Sequence, residues 1–308
     1  MEGEKNMGTL SKSTLFPPQL SGELFNLVRG KSALARLSQQ APIPFNGTEL
    51  FTFNFDKEVD IVAENGAKGV GGGTISPVTI VPYKIEYGMR VSDEFVYGSE
   101  EARINYLRAF ADGFAAKAAR GLDIMAMHGL NPRTGSASLV VGNNHFDYAI
   151  SSDNKVTYNS LSPDPNANVE TAIGLVQAAE HEVTGMAMSP AFRTALASQT
   201  RTDGTPLFPE LAWGSQPDNI KGLPVDTNST VAFGTNTKDL AILGNFRDFF
   251  RYGIAKDIGI KVIEYGNPDN DADAGDLQGH NQVYLRGEMY IGYGILVPEA
   301  FAAIGNFQ

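Results

Sequence analysis

The chain has 308 residues, with Lys+Arg 24 against Asp+Glu 35 and a formal net charge of −11. At 42% hydrophobic residues it can fill one or two cores, while its acidity argues against a general nucleic-acid binder, which carries a basic surplus. Zero Cys removes disulfides, thiolate nucleophiles and thiolate zinc sites, and no apolar run approaches the ~20 residues that span a bilayer.

The first residues are polar and carry Glu2 and Glu4, unlike a secretory signal. Over residues 1–40, Lys5, Lys12, Arg29, Lys31 and Arg36 outnumber Glu2, Glu4 and Glu23, so a mildly basic arm precedes an acidic body. Opposite patches of this kind suit contact between neighbouring copies, but so small a surplus over forty residues reads by itself as ordinary scatter. An amphipathic stretch follows in the arm, through Leu20, Leu24, Leu27, Val28, Leu34 and Leu37.

Phe51, Phe53 and Phe55 then alternate with Thr52 and Asn54, the signature of a strand with one apolar face. Tyr83, Ile85, Tyr87, Met89 and Val91 repeat the pattern. Between them lies Ala63–Gly73, where Gly66, Gly69, Gly71, Gly72 and Gly73 disfavour any regular interior. The stretch from about Thr48 to Val91 therefore reads as one long β-hairpin with a flexible glycine tip. Such a hairpin is marginal alone and needs another surface to lie on.

The next element is a helix from Glu100 to His128, about 43 Å long at 1.5 Å per residue. Ser99 caps it, acids fill its first turn, and Gly129 stops it ahead of Pro132. Its apolar stripe runs through Ile104, Leu107, Ala111, Phe114, Ala118, Leu122 and Met125. Two shorter helices are expected at 168–183 and 189–200, the second opened by Pro190. A proline-punctuated loop spans 203–225. Strands are expected at 231–233, 240–243, 249–254 and 258–264, an acidic loop at 267–279, and a last strand at 283–297.

The chemical signatures fail one by one. The glycine tract lacks the Gly-Lys-Ser/Thr ending of a phosphate loop, and no helix signal follows it. His181-Glu182 would need a second His at 185, which is Gly, and reads as a solvated pair on a helix face. Asp269, Asp271 and Asp273 alternate as in a calcium loop, but Ala274 stands where the turn needs Gly and His280 where a bidentate Glu belongs. No Gly-x-Ser-x-Gly elbow occurs. These residues point to neither catalysis nor a cofactor.

The order of elements resembles the major capsid proteins of tailed bacteriophages, with the Hong Kong-type capsid fold. The resemblance rests on short matches in the same order along most of the chain. Leu15-Phe16-Pro17-Pro18 and the stretch after it are similar to the family's N-terminal arm. Val62-Ala63-Glu64-Asn65-Gly66 is similar to the lead into its extended loop, and Pro82-Tyr83-Lys84 with Val91-Ser92-Asp93-Glu94 to the returning strand and the approach to its spine helix. Gly129–Gly135 resembles the turn after that helix. Met188–Phe192, Asp203-Gly204, Gly222–Val225 and Gly244-Asn245-Phe246 resemble the axial domain, and Arg286-Gly287-Glu288 with Pro298–Phe301 the closing strand.

The resemblance implies an α+β chain divided into an arm (1–45), an extended hairpin loop (46–82), a peripheral domain with the spine helix (83–160 and 283–308) and an axial domain (161–282). It implies a non-enzymatic subunit of the virion capsid, made in the host cytoplasm, that self-assembles into pentamers and hexamers and closes an icosahedral shell around double-stranded DNA. Expected partners are other copies, a separate scaffolding protein and a portal, with no membrane and no cofactor. Phe51, Phe53, Phe55, Gly66, Lys68 and Gly71 would lie in intersubunit contacts, and Ile104, Leu107, Phe114 and Leu122 in the core under the spine helix. Some family members join a loop Lys to an Asn of the peripheral domain. Lys68 and Asn306 are placed for this, but no catalytic Glu matches, so no cross-link is expected. Two rivals stand beside this reading: an encapsulin-like compartment shell, and a metal-dependent hydrolase built on Asp269, Asp271, Asp273 and His280.

Overall fold

A single helix organises the molecule. The computed structural model describes residues 31–161, 163–234 and 238–307; the predicted apolar positions Leu20, Leu24, Leu27 and Val28 lie outside them. In chain order the elements are α1 (Ala33–Leu37), β1 (Gln39–Gln40), β2 (Thr48–Phe55), β3 (Gly73–Ile80), β4 (Pro82–Ser92), α2 (Glu94–Tyr97), α3 (Glu100–His128), α4 (Phe146–Ala149), β5 (Lys155–Thr157) and α5 (Pro165–Ala178). There follow β6 (Gly185–Met188), α6 (Pro190–Ala197), β7 (Asn219–Ile220), β8 (Leu223–Thr227), β9 (Asp239–Gly244), α7 (Phe246–Phe249), β10 (Phe250–Ile263), β11 (Gln282–Ile295) and β12 (Phe301–Gly305).

The 29-residue α3 has the ends its sequence specifies. The Ser99 side chain accepts from the Ala102 N–H, and Gly129 closes the helix at φ 66°, a left-handed conformation that suits glycine. The helix lies along a four-stranded sheet of order β1-β10-β11-β4. Leu107 and Phe110 pack on Leu285, and Phe114 and Ala118 on Met289. A Cβ on Gly287 would come within 3.1 Å of the Phe114 ring, so that glycine lets the helix settle onto β11.

Leu107, Phe114 and Leu122 are buried, whereas Ile104 is 46% exposed. The first of these stripe residues buried against the sheet is Leu107, about one turn beyond Ile104. The stripe also widens toward the C-terminus, where Gly121 to Gly129 are buried on every side.

The second sheet has the order β5-β12-β9-β6-β8-β7. Its central strands are covered on both faces. Ala187, Ile242, Phe301 and Ala303 face a core shared with α1, the end of α3 and the first sheet, while Met186, Met188, Leu243 and Ile304 face a core under α5 and α6. The continuous apolar character of these strands follows from that double burial.

Several expectations change. The hairpin ends at Ile80, because β2 pairs with β3 in a register running from Thr48↔Ile80 to Phe55↔Gly73. The strand at 83–91 belongs instead to β4, which pairs with β11 from Gln282↔Ser92 to Gly292↔Pro82. The helix expected at 168–183 starts at Pro165, capped by Asp164, and stops at Ala178, with Glu180 turning the chain at φ 60°. His181 thus leaves the helix, and its ring sits edge-on to Phe249 at 5.2 Å. Residues 229–232 form a 3-10 turn instead of a strand, and 249–254 and 258–264 merge into β10, with register irregularities between Ile254 and Gly259. The sheets also cut across the expected domain boundaries. β10 joins the first sheet, and β12 enters the second between β5 and β9.

Candidate assembly interface

The β2–β3 ribbon sets Phe51 opposite Pro77, Phe53 opposite Ile75 and Phe55 opposite Gly73. Directly paired residues share a face, so one side of the ribbon is an apolar comb. Among the described residues it stands uncovered: Phe51, Phe53 and Phe55 are 60%, 65% and 79% exposed, and Ile75 is 55% exposed. Burying one such ring contributes about 1.5–3 kcal/mol.

The root of the ribbon is held firmly. Ile80 is buried, and a Cβ on Gly294 would lie 2.8 Å from its Cγ1. Gly292 approaches Ile80 and Ile43 in the same way, and a Cβ on Gly253 would strike the Ala41 carbonyl at 2.0 Å. Glycines of β11 therefore seat the hairpin base, and Gly253 of β10 seats the segment that leads into it. The signal, Gly292 and Gly294 on one parity of a strand, is present in the sequence but says nothing about what docks there.

The tip, residues 56–72, has no regular structure. Asp56 and Gly72 exchange hydrogen bonds at its neck, 3.2 Å from the Asp56 N–H to the Gly72 carbonyl and 2.7 Å from the Gly72 N–H to Asp56 Oδ1. Lys57 Nζ donates to the Val70 carbonyl at 3.0 Å. Gly66, Lys68 and Gly71 all lie on the exposed outer part, with open space around Gly71.

A second junction ties the arm to the body. Asp123 is buried near the C-terminal end of α3 and accepts from Ser32 Oγ, from the Ala33 N–H at 2.9 Å and the Leu34 N–H at 3.2 Å, and from Thr230 Oγ1 at 3.0 Å. It so supplies an anion to the first turn of α1. Burial nevertheless pushes its carboxyl up to about 6. On the next turn Arg36 pairs with Asp226 at 2.7 Å and with Asp218, linking α1 to β8 and the turn before β7.

The acidic loop is structural. Arg90 forks onto both oxygens of Asp269, at 2.8 and 2.6 Å, and also donates to the Ala274 and Gly275 carbonyls and to Asn267. Asp271 accepts from the Asp273 and Ala274 N–H groups, and His280 Nδ1 meets the Asp276 carbonyl at 2.9 Å. The loop is folded around the Arg90 side chain, and Asp269, Asp271, Asp273 and His280 do not converge as the hydrolase reading requires.

A rigid two-sheet body carrying an apolar ribbon that it cannot cover is the build of an assembling structural subunit. Comparison with known proteins agrees. Residues 13–305 match the model of the phage capsid family, and the chain belongs to that family. A structure from Mycobacterium phage Ogopogo is similar at 30% identity and TM-score 0.75, covering 89% of this chain and 92% of that one. One from Gordonia phage Cozz shares 23% identity at TM-score 0.72, covering 88% and 85%. The capsid of an empty GTA particle shares the fold at 13% identity and TM-score 0.63, with 89% of each chain covered. No curated protein matches. The protein is a major capsid protein with an α+β, Hong Kong-type fold; it is a structural subunit that self-assembles into the icosahedral shell of the virion.

Proposed function

We propose that the β2–β3 ribbon works as an intersubunit strap, laying Phe51, Phe53 and Phe55 on the neighbouring copy while the glycine-rich tip adjusts to changing contacts. The observation that carries this is the uncovered aromatic face, together with the tight seating of the ribbon root, which makes an arm rigid at its base and unsatisfied along its length. Copies joined in this way form pentamers and hexamers. The first sheet with α3 serves as the peripheral domain and the second sheet with α5 and α6 as the axial domain, with the arm to Phe45 and the loop to Pro82 as outlying parts. The shell is built in the host cytoplasm with a separate scaffolding protein and a portal. It encloses double-stranded DNA without reading its sequence, since the chain's net charge of −11 limits adhesion to phosphates.

Deleting Gly66 to Gly73, or replacing Phe51, Phe53 and Phe55 together by Ser, leaves a folded subunit that forms no closed shells in negative-stain images, with light scattering as the solution check. Normal shells from either variant would show that the ribbon is not an intersubunit strap. Co-purified DNA marks a genome container, whereas a co-purified enzyme would mark a compartment shell.

A further inference from the structure

We propose that His128, Asp147 and Asp239 bind one divalent transition-metal cation of the zinc class, which pins the C-terminal end of α3 to the six-stranded sheet. The three residues come from different elements: the last residue of α3, the short helix α4 and the first residue of β9. His128 Nδ1 lies 3.0 Å from Asp147 Oδ2 and 3.8 Å from Asp239 Oδ2, and the three donor atoms are all within 4.8 Å of one another. A tetrahedral cation with bonds of about 2.0–2.1 Å needs donors roughly 3.3 Å apart. The measured spacings bracket that value.

The histidine is already in the form that a cation needs. Its Nε2 is 2.9 Å from the Thr230 carbonyl oxygen, which can only accept, so Nε2 carries the hydrogen. That bond orients the ring with Nδ1 toward the two carboxylates, the outer hydrogen bond typical of a metal-ligating imidazole. His128 and Asp239 are buried, and so is Oδ1, the second oxygen of Asp147. Two carboxylates gathered on one buried imidazole need positive charge beside them, supplied by shared protons, by the nearby Lys155 or by one divalent cation. The other titratable groups facing the trio are Lys155, whose Nζ donates to the Asp147 carbonyl at 2.8 Å, and His145, which burial keeps toward its neutral form. Neither occupies the space between the donors. The Asp147 side chain is one-third exposed, which leaves a path for exchange.

A nitrogen with two carboxylate oxygens suits zinc, cobalt or manganese better than calcium, which takes six to eight oxygens. The test uses the full-length protein, stripped with a chelator and titrated with Co²⁺. The expected result is saturation at one cobalt per chain, with a visible absorption band of a low-coordinate site that Zn²⁺ abolishes. Asp239→Asn can still donate a hydrogen bond to Asp147, as a protonated Asp239 does, so it keeps the fold while losing a charged ligand; cobalt affinity falls at least about 100-fold. His128→Gln gives the same loss from the other side of the site. Absence of stoichiometric cobalt uptake by the wild-type chain, or equal affinity in Asp239→Asn, would overturn the proposal and leave a proton-bridged cluster.

Discussion

Asp123 shows how one side chain can decide where an arm attaches. Among the described residues its carboxylate accepts from Ser32, from the first N–H groups of α1 and from Thr230, with Asn228 Nδ2 at 3.5 Å. Truncation to Ala strands several buried donors at about 1–3 kcal/mol each. We therefore expect Asp123→Ala to lose about 3 kcal/mol or more in urea unfolding at pH 7. The pH dependence has a definite sign. The folded carboxyl is pushed up to about 6, above its ordinary value of 3.8, so the proton-linked part of its stabilisation is full below about 3.8 and is lost as pH rises through 6, leaving the hydrogen bonds to the carboxylate at pH 7. A stability profile from pH 4 to 7 should fall with rising pH in the wild type by an amount that Asp123→Ala removes. The sequence marks Asp123 only as a charge inside an apolar helix face, and its donors lie about ninety or more positions away.

At the level of elements, α3 was legible because its information is local. Ser99, the apolar spacing and Gly129 each act within a turn or two, and the helix has the expected ends. What the spacing could not tell was which residues of the stripe find a partner. Leu107→Ala should cost about 2–5 kcal/mol by opening a cavity against Leu285. Ile104→Ala should cost about 1 kcal/mol or less, since nearly half of Ile104 is exposed. Paired thermal melts of the unassembled chain distinguish the two. The hairpin was legible as alternation but not in its pairing. Phe51 to Phe55 and Tyr83 to Val91 both alternate, and only the ladder shows that the second pairs with β11 while Gly73–Ile80 returns along β2. Period two reports a face, not a partner.

Across the whole molecule, distant segments are clamped together by a few polar contacts. Arg90 on β4 holds the loop before β11, and the guanidinium keeps Asp269 down at about 2. A depressed carboxylate stabilises above its ordinary 3.8 and loses that contribution as pH falls through 2, so this clamp holds at neutral pH and releases only in strong acid. Arg90→Ala should free residues 267–279 at neutral pH, seen as faster proteolytic cleavage within the loop; unchanged cleavage would mean that the loop's own turns suffice.

By itself the sequence determined the features set by neighbours along the chain: a capped helix of known length, an apolar ribbon with a loose glycine tip, an acidic cysteine-free composition and the order of elements that resembles a capsid subunit. Tertiary structure alone decided which strand pairs with which, that β12 lies between β5 and β9 in the second sheet, that glycines in β11 seat the hairpin, and that His128, Asp147 and Asp239 meet. Caps and periodicity act over a few residues, whereas ladders, close approaches and buried charge clusters depend on segments far apart in the chain. For a strand buried on both faces, such as Phe301–Gly305, even the local alternation vanishes, since each side chain meets the same dry surroundings.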